Sequence, residues 1–249
     1  MSVAAGQMPL LLVANRFPGA DVLGIMLSAV ADGTAMAQSA IKAVDILLEP
    51  DAGMLAHAES NNARLREVFP DGFALDAEHR PHITLLQCFV AADDLEALFD
   101  AAGAVARNAN VTSMGLQAVR YGYTPGPGMG VAGIWVAVTP ALSKLQADVI
   151  AAAAPFMVET AGIDAFTAGH GNPAFDTALI DYVSGFVAKG AGANFDPHVS
   201  TGIAATDYLD RMAAEPFVPF AFAPATAAVY QLGPFGTAAR FLKRWDAAA

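Results

Sequence analysis

The sequence predicts an α/β (α+β) fold, and three observations carry that expectation. Apolar β-branched runs alternate with segments of helical spacing along the chain, in two broadly similar halves. Hydrophobic residues make up 55% of the 249 residues and charged residues only 15%, enough apolar material for a large core. One short strand-opening pattern occurs twice, once in each half.

The elements follow in order. Ala43 to Leu48 (AVDILL) reads as a buried strand. Met54 to Val68 reads as a helix ended by Pro70, because proline disfavours helical backbone in the residue before it. His82 to Val90 (HITLLQCFV) is β-branched and apolar and reads as a strand. Asp93 to Arg107 places Leu95, Leu98, Phe99 and Ala102 at helical spacing. Val111 to Val119 and Gly133 to Val138 read as paired strands around a flexible loop, Tyr123 to Gly133. Ser143 to Met157 is a helix behind Pro140. Thr160 to Asp176 is rich in Gly, Ala, Asn and Pro, and reads as an inter-lobe loop or lid. Thr177 to Ala188 is a helix, His198 to Ala204 a strand and Asp207 to Ala214 a helix. Ala225 to Leu232 and Thr237 to Leu242 close the chain as a strand pair.

Residues 1–37 carry a separate signal. Val22 to Ala31 is a short apolar stretch, preceded by Arg16 and followed by Ala35-Met36-Ala37. This matches a secretory leader cleaved after Ala37, leaving residues 38–249 as a single two-lobed domain. Asp21 and Asp32 bracket the stretch, and an amphipathic helix packed on the domain is the other reading. The leader implies a periplasmic or secreted protein, and its absence a cytoplasmic one. The lone Cys88 suits either, having no intrachain partner.

The net charge of −11 argues against a broad basic surface for long nucleic acid, which works by neutralising many phosphates. A short phosphorylated ligand remains compatible. No apolar run reaches the roughly 18 residues of a membrane span.

The chemistry lies in the repeated pattern. Pro81-His82-Ile83-Thr84 opens one strand and Pro197-His198-Val199-Ser200 another. Side chains alternate along a strand, so His82 and Thr84 share a face, as do His198 and Ser200. If the strands are neighbours, two imidazoles and two hydroxyls meet. Imidazoles titrating near 6.5 suit both proton abstraction and proton donation. Hydroxyls stabilise charge moving onto phosphate oxygens.

These two H-x-[ST] elements, set in HRPHITLLQ and NFDPHVSTG, resemble the two-histidine phosphoesterase superfamily, which includes 2′-5′ RNA ligase-like proteins and cyclic nucleotide phosphodiesterases. The resemblance spans roughly Ala43 to Trp245. It implies two pseudo-symmetric lobes, each a mostly antiparallel sheet with helices outside, around a central cleft. It implies His82 and His198 as the catalytic pair and Thr84 and Ser200 as substrate-binding hydroxyls, with no metal and no cofactor. The wide spacing of the motifs implies an insertion, placed at Thr160 to Asp176. The implied activity is a metal-independent phosphodiesterase on cyclic phosphates or 2′-5′ bonds of small nucleotides or RNA ends, working as a monomer. The rival is a non-catalytic module that binds a nucleotide or RNA end in the same cleft.

Other motifs carry less. His79-x-x-His82 with Cys88 lacks a sensible further zinc ligand. Gly128 to Gly133 spells GxGxxG, but a strand follows where a dinucleotide site needs a helix. His57 reads as a solvated surface group, His170 as an exposed loop residue and Cys88 as a buried small hydrophobe. Tyr121, Tyr123 and Tyr230 read either as base-stacking or as core-edge residues. Arg80 and Lys189 are the basic residues nearest the motifs, and each reads as a surface charge or a phosphate contact.

Overall fold

The computed structural model describes residues 39–245 apart from Pro127, His170 and Asn172. The expected leader at residues 1–37 and the expected loop histidine His170 therefore lie outside the described residues.

The first strand, β1 (Ile41–Pro50), is buried from Ala43 to Pro50. A strand buried on both faces needs neighbours on both sides and cover above and below. It lies at the centre of a five-stranded sheet, between β2 (Ile83–Ala91) and β8 (Pro224–Leu232). Two short or late strands, β5 (Met157–Val158) and β9 (Ala238–Trp245), form the edges. The second sheet has four strands: β6 (His198–Ala205), β4 (Met129–Val136), β3 (Leu116–Pro125) and β7 (Phe220–Phe222). Every pairing is antiparallel. The fold is α+β with two antiparallel sheets and helices, as expected.

The two halves of the sequence are not the two sheets. The five-stranded sheet takes strands from both ends of the chain, and the four-stranded sheet takes the middle plus β6 and β7. Residues 181 apart in sequence are thereby neighbours, for example Tyr230 and Glu49.

Helix α1 (Ala52–Val68) starts at Asp51, whose Oδ1 accepts from the Met54 amide at 3.0 Å, and stops ahead of Pro70. Its buried face is partly polar. Asn61 donates to the Thr201 hydroxyl and Asn62 to the Thr201 carbonyl, both at 2.8 Å. Buried amides are retained only when so paired, and these two bonds fix β6, the strand carrying the second motif. Helix α2 (Leu95–Ala109) buries Leu98, Phe99 and Ala102, as its spacing predicted. A Cβ on Gly103 would sit 2.3 Å from the Trp245 indole nitrogen, so glycine lets β9 close against this helix. Helix α3 (Pro140–Ala153) is capped by Thr139 with Pro140 at its first turn, and buries Leu142, Leu145 and Val149. These helical residues meet Val44, Ile46, Leu48, Ile83 and Leu85 in the main core. Each such side chain contributes about 1.5–3 kcal/mol on burial.

Several boundaries differ from expectation. Residues Val111–Ser113 form a single 3₁₀ turn rather than the start of β3. The stretch read as a flexible loop, Tyr123 to Gly133, is mostly strand, and only the tight turn around Gly128 (φ 72°) is left as loop. The turn residues are the same; glycines paired on both flanks within a sheet resemble loop glycines in sequence. The Thr160 to Asp176 segment is partly anchored. Ala165 and Phe166 are buried, and the Thr167 amide donates to the Leu232 carbonyl at 2.9 Å. The helix after it begins early, as α4 (Pro173–Ser184), and breaks at Gly185 before α5 (Phe186–Gly190). Helix α6 (Thr206–Ala213) follows β6 directly. Among the described residues no helix is long and apolar enough to cross a membrane.

Candidate active site

Strand alternation places the first motif. Ile83 and Leu85 point into the main core, and His82 and Thr84 point the other way. The bulge between Ile46 and Leu47 resets the β1–β2 register, so that Gln87, opposite Asp45, shares their face. In the second sheet Val199 enters the core while His198 and Ser200 face outward. All four motif side chains line one cavity of about 520 Å³, between the two sheets and under α4 and α5.

The two histidines have matched backbone anchors. His82 Nδ1 lies 2.5 Å from the Arg80 carbonyl and His198 Nδ1 lies 2.8 Å from the Asp196 carbonyl. A carbonyl only accepts, so each Nδ1 carries the proton and each Nε2 is left to define the charge state.

Their surroundings then diverge. His82 Nε2 is 3.3 Å from Oδ2 of Asp45, a carboxylate with no exposed surface. Burial alone would push the His82 pKa down, but the adjacent Asp45 carboxylate outweighs it and holds it above its ordinary 6.5. His198 stacks on Trp135, with ring centroids 4.7 Å apart and planes 17° apart. Burial lowers its pKa below 6.5, and the nearby His82 and Arg120 lower it further against the opposing pull of Asp196. The two imidazoles are thus biased in opposite directions.

The hydroxyls differ as well. Thr84 Oγ1 donates to Asp45 Oδ2 at 2.8 Å. Ser200 is half-buried at the cavity wall, and its hydroxyl has no hydrogen-bond partner among the described residues. Aromatic rings supply much of the remaining lining, among them Phe175, Tyr182 and Phe235. Lys189 lines the cavity too, and among the described lining residues it is the only Lys or Arg.

The other candidates fall elsewhere. Arg80 lies outside the cavity, 3.8 Å from Glu49. Tyr230 is buried and donates to Glu49 at 2.5 Å, and Tyr123 donates to Asp210 on α6 at 2.6 Å. Tyr121 packs edge-on against Phe217. His79 bonds Asp76 at 2.9 Å and stacks on Phe73, while His57 is exposed and stacks on Phe220. Cys88 is buried on the core side, its thiol pushed up to about 12 by burial first and by Asp45 second. Among the described residues no three His, Cys, Asp or Glu side chains are grouped to hold a metal ion. The GxGxxG glycines lie in and beside β4, where Gly130 and Gly133 pair with β3 and β6, so the motif runs into a strand and does not open a helix as a dinucleotide site needs.

No family model matches the chain, and no curated protein matches it. Similar solved structures exist. They include TT0787 of Thermus thermophilus at 14% identity, covering 82% of this chain and 97% of that one, with a TM-score of 0.46. E. coli LigT complexed with 3′-AMP is 16% identical, covering 85% and 100%, with a TM-score of 0.45. Kluyveromyces marxianus Usb1 is 10% identical, covering 84% and 99%, with a TM-score of 0.39.

Asp45, Gln87 and Trp135 were not singled out from the sequence. Asp45 had a signal: it is the one charged residue inside AVDILL, and a lone carboxylate in a buried strand needs a partner. Trp135 had none, since its contact with His198 depends on the pairing of β4 with β6.

Proposed function

We propose that this protein is a metal-independent phosphoesterase that uses His82 and His198 as an acid/base pair on a small nucleotide or RNA-end substrate, with a 2′,3′-cyclic phosphate or 2′-5′ phosphodiester as the bond cleaved. The observation that carries this reading is the convergence of two imidazoles with oppositely biased charge, and of two hydroxyls, on one cavity. A binding module needs no such opposed pair, because affinity for phosphate is served by positive charge alone.

In this mechanism a water oxygen forms a bond to phosphorus as the bond from phosphorus to a ribose oxygen breaks. One imidazole takes the proton from the water, and the other gives a proton to the departing oxygen. The product is a phosphomonoester and a free hydroxyl. Ser200 donates to the phosphoryl oxygens, and Thr84 does so only to the extent that substrate draws its hydrogen from Asp45. Phe175, Tyr182 and Phe235 offer apolar faces to the organic part of the substrate, and Lys189 its charge to the phosphate. The scarcity of cations at the cavity fits one phosphate better than a long polyanion.

The test is turnover of 2′,3′-cyclic mononucleotides and 2′-5′ dinucleotides with EDTA present. Cleavage that is indifferent to the chelator supports the reading. Activity that EDTA abolishes and a divalent metal restores overturns the metal-independent mechanism, and tight nucleotide binding with no turnover favours the binding module.

A further inference from the structure

We infer that Asp45 is the positioning residue of this site, a buried carboxylate that fixes His82 as the proton donor of the pair and so leaves His198 as the base. The inference rests on the phosphoesterase reading for its chemistry, but its structural part stands alone.

Asp45 lies on β1 with no exposed surface, and it does not line the cavity. It touches the site only through others. Its Oδ2 receives Thr84 Oγ1 at 2.8 Å and Gln87 Nε2 at 2.8 Å, and stands 3.3 Å from His82 Nε2. These three residues line the cavity and form the wall in front of it. Its other oxygen, Oδ1, has no hydrogen-bond partner among the described residues. A carboxylate taken fully out of water costs several kcal/mol unless donors compensate it. Here the donors all converge on one oxygen, so the negative charge is drawn toward the motif side chains.

The consequence for His82 follows from donor and acceptor types. Nδ1 faces a carbonyl and Nε2 faces a carboxylate, and both partners only accept. An imidazole between two acceptors carries both protons, so His82 enters the reaction as the cation. His198 Nδ1 also faces a carbonyl, but among the described residues no carboxylate pairs with its ring, so Nε2 keeps a lone pair for the attacking water. The charged groups acting on His82 are Asp45 and Glu49, both from β1, and the ring of His198 on β6 faces it as the other titratable group, while Arg80 acts through its carbonyl and its guanidinium lies against Glu49. Asp45, 3.3 Å from Nε2, is the stronger of the two carboxylates.

Thr84 is affected too. Its single hydroxyl hydrogen is committed to Asp45, so it presents lone pairs to the cavity until substrate competes for that hydrogen. Ser200 is the hydroxyl ready to donate at once. During turnover the Nε2 proton of His82 passes to the departing oxygen, and the neutral ring is left facing a carboxylate. That contact favours recapture of a proton from solvent and readies the site for the next cycle.

The experiment is an NMR titration of the imidazole nitrogens of His82 and His198, in the full-length protein and in Asp45→Asn, joined to kinetics on two substrates. One substrate is a 2′,3′-cyclic nucleotide, whose alkoxide must be protonated as it leaves. The other is bis(p-nitrophenyl) phosphate, whose phenolate needs no proton. In the parent protein His82 should titrate above His198, and Asp45→Asn should bring the His82 midpoint down while that of His198 stays or rises slightly, because a less charged His82 repels it less. With the cyclic nucleotide, Asp45→Asn should lose kcat by on the order of 10-fold or more on the alkaline side, at unchanged KM. With bis(p-nitrophenyl) phosphate the losses from Asp45→Asn and His82→Ala should largely disappear, and that from His198→Ala should persist. The inference is overturned if His82 titrates below His198 in the parent, a result that needs no variant to fold. It is equally overturned if His198→Ala is the variant rescued by the good leaving group. A parent protein that turns over neither substrate but shows the expected titration contradicts the phosphoesterase reading while upholding the role of Asp45 in charging His82.

Discussion

The indole of Trp135 lies face to face with the imidazole of His198, centroids 4.7 Å apart, and carries the Arg120 guanidinium 4.7 Å from its ring centroid. The three residues sit on adjacent strands in register, Arg120 opposite Trp135 and Trp135 opposite His198. Asp196 closes the group by accepting from Trp135 Nε1 at 2.6 Å. The second histidine is thus held by a cross-strand ladder, and the first by a buried carboxylate.

Trp135→Leu should therefore act on catalysis as well as stability. Loss of the stacking plane frees the His198 ring, and a misplaced base costs on the order of 10- to 100-fold in kcat. Nucleotide KM should change little. Steady-state kinetics beside a urea melt separates the two effects.

The rate should rise and then fall with pH. The rising limb belongs to His198, which must lose its proton, and lies below 6.5 because its pKa is lowered. The falling limb belongs to His82, which must keep its proton, and lies above 6.5 because its pKa is raised. Folding stability follows the same signs. The stabilisation from charged His82 is complete below 6.5 and is lost as pH rises through its folded value. The neutral, buried His198 costs stability as pH falls from 6.5 through its own. Kinetic pH profiles and chemical melts at several pH values check both.

The two hydroxyls should not be equivalent. Ser200→Ala removes a donor aimed at the cavity and should lower kcat about 10²- to 10³-fold. Thr84→Val removes a donor to Asp45 and should cost less in kcat, while shifting the pH profile. Equal losses with unshifted profiles would show that Thr84 donates to substrate as Ser200 does.

Glu49→Ala should act mainly on stability, with a small downward shift of the alkaline limb, because the Glu49 charge helps raise the His82 pKa. Glu49 accepts from buried Tyr230 and takes two bonds from Arg244, at 2.9 and 2.7 Å. Removing it strands the tyrosine hydroxyl, at a cost of about 1–3 kcal/mol. Glu49→Gln keeps an acceptor and should lose less. Urea denaturation reads the difference.

Much of this was legible in the sequence, for identifiable reasons. Strands and helices with strong periodicity, such as β2 and α2, follow from which residues prefer water. The sharing of a face by His82 and Thr84 follows from strand alternation alone. What was not legible depended on pairing. That β1 lies between β2 and β8 is decided by contacts across most of the chain, and no local pattern encodes it. Asp45 meets His82 only through that pairing, and Trp135 meets His198 only because β4 lies beside β6. The glycines of β3 and β4 misled because a sheet and a loop both accept them. The break between α4 and α5 falls at Gly185, inside a run with continuous helical spacing.

The central claim is that His82 and His198 work as one unit on a phosphoester. The most direct measurement is single-turnover cleavage of a 2′,3′-cyclic nucleotide by the parent protein, His82→Ala, His198→Ala and the double variant, in EDTA. Each single variant should lose about 10²- to 10⁴-fold, and the double should lose little more than either, because members of a unit are not additive. Losses that multiply in the double variant, or a single variant that keeps full activity, would contradict the account.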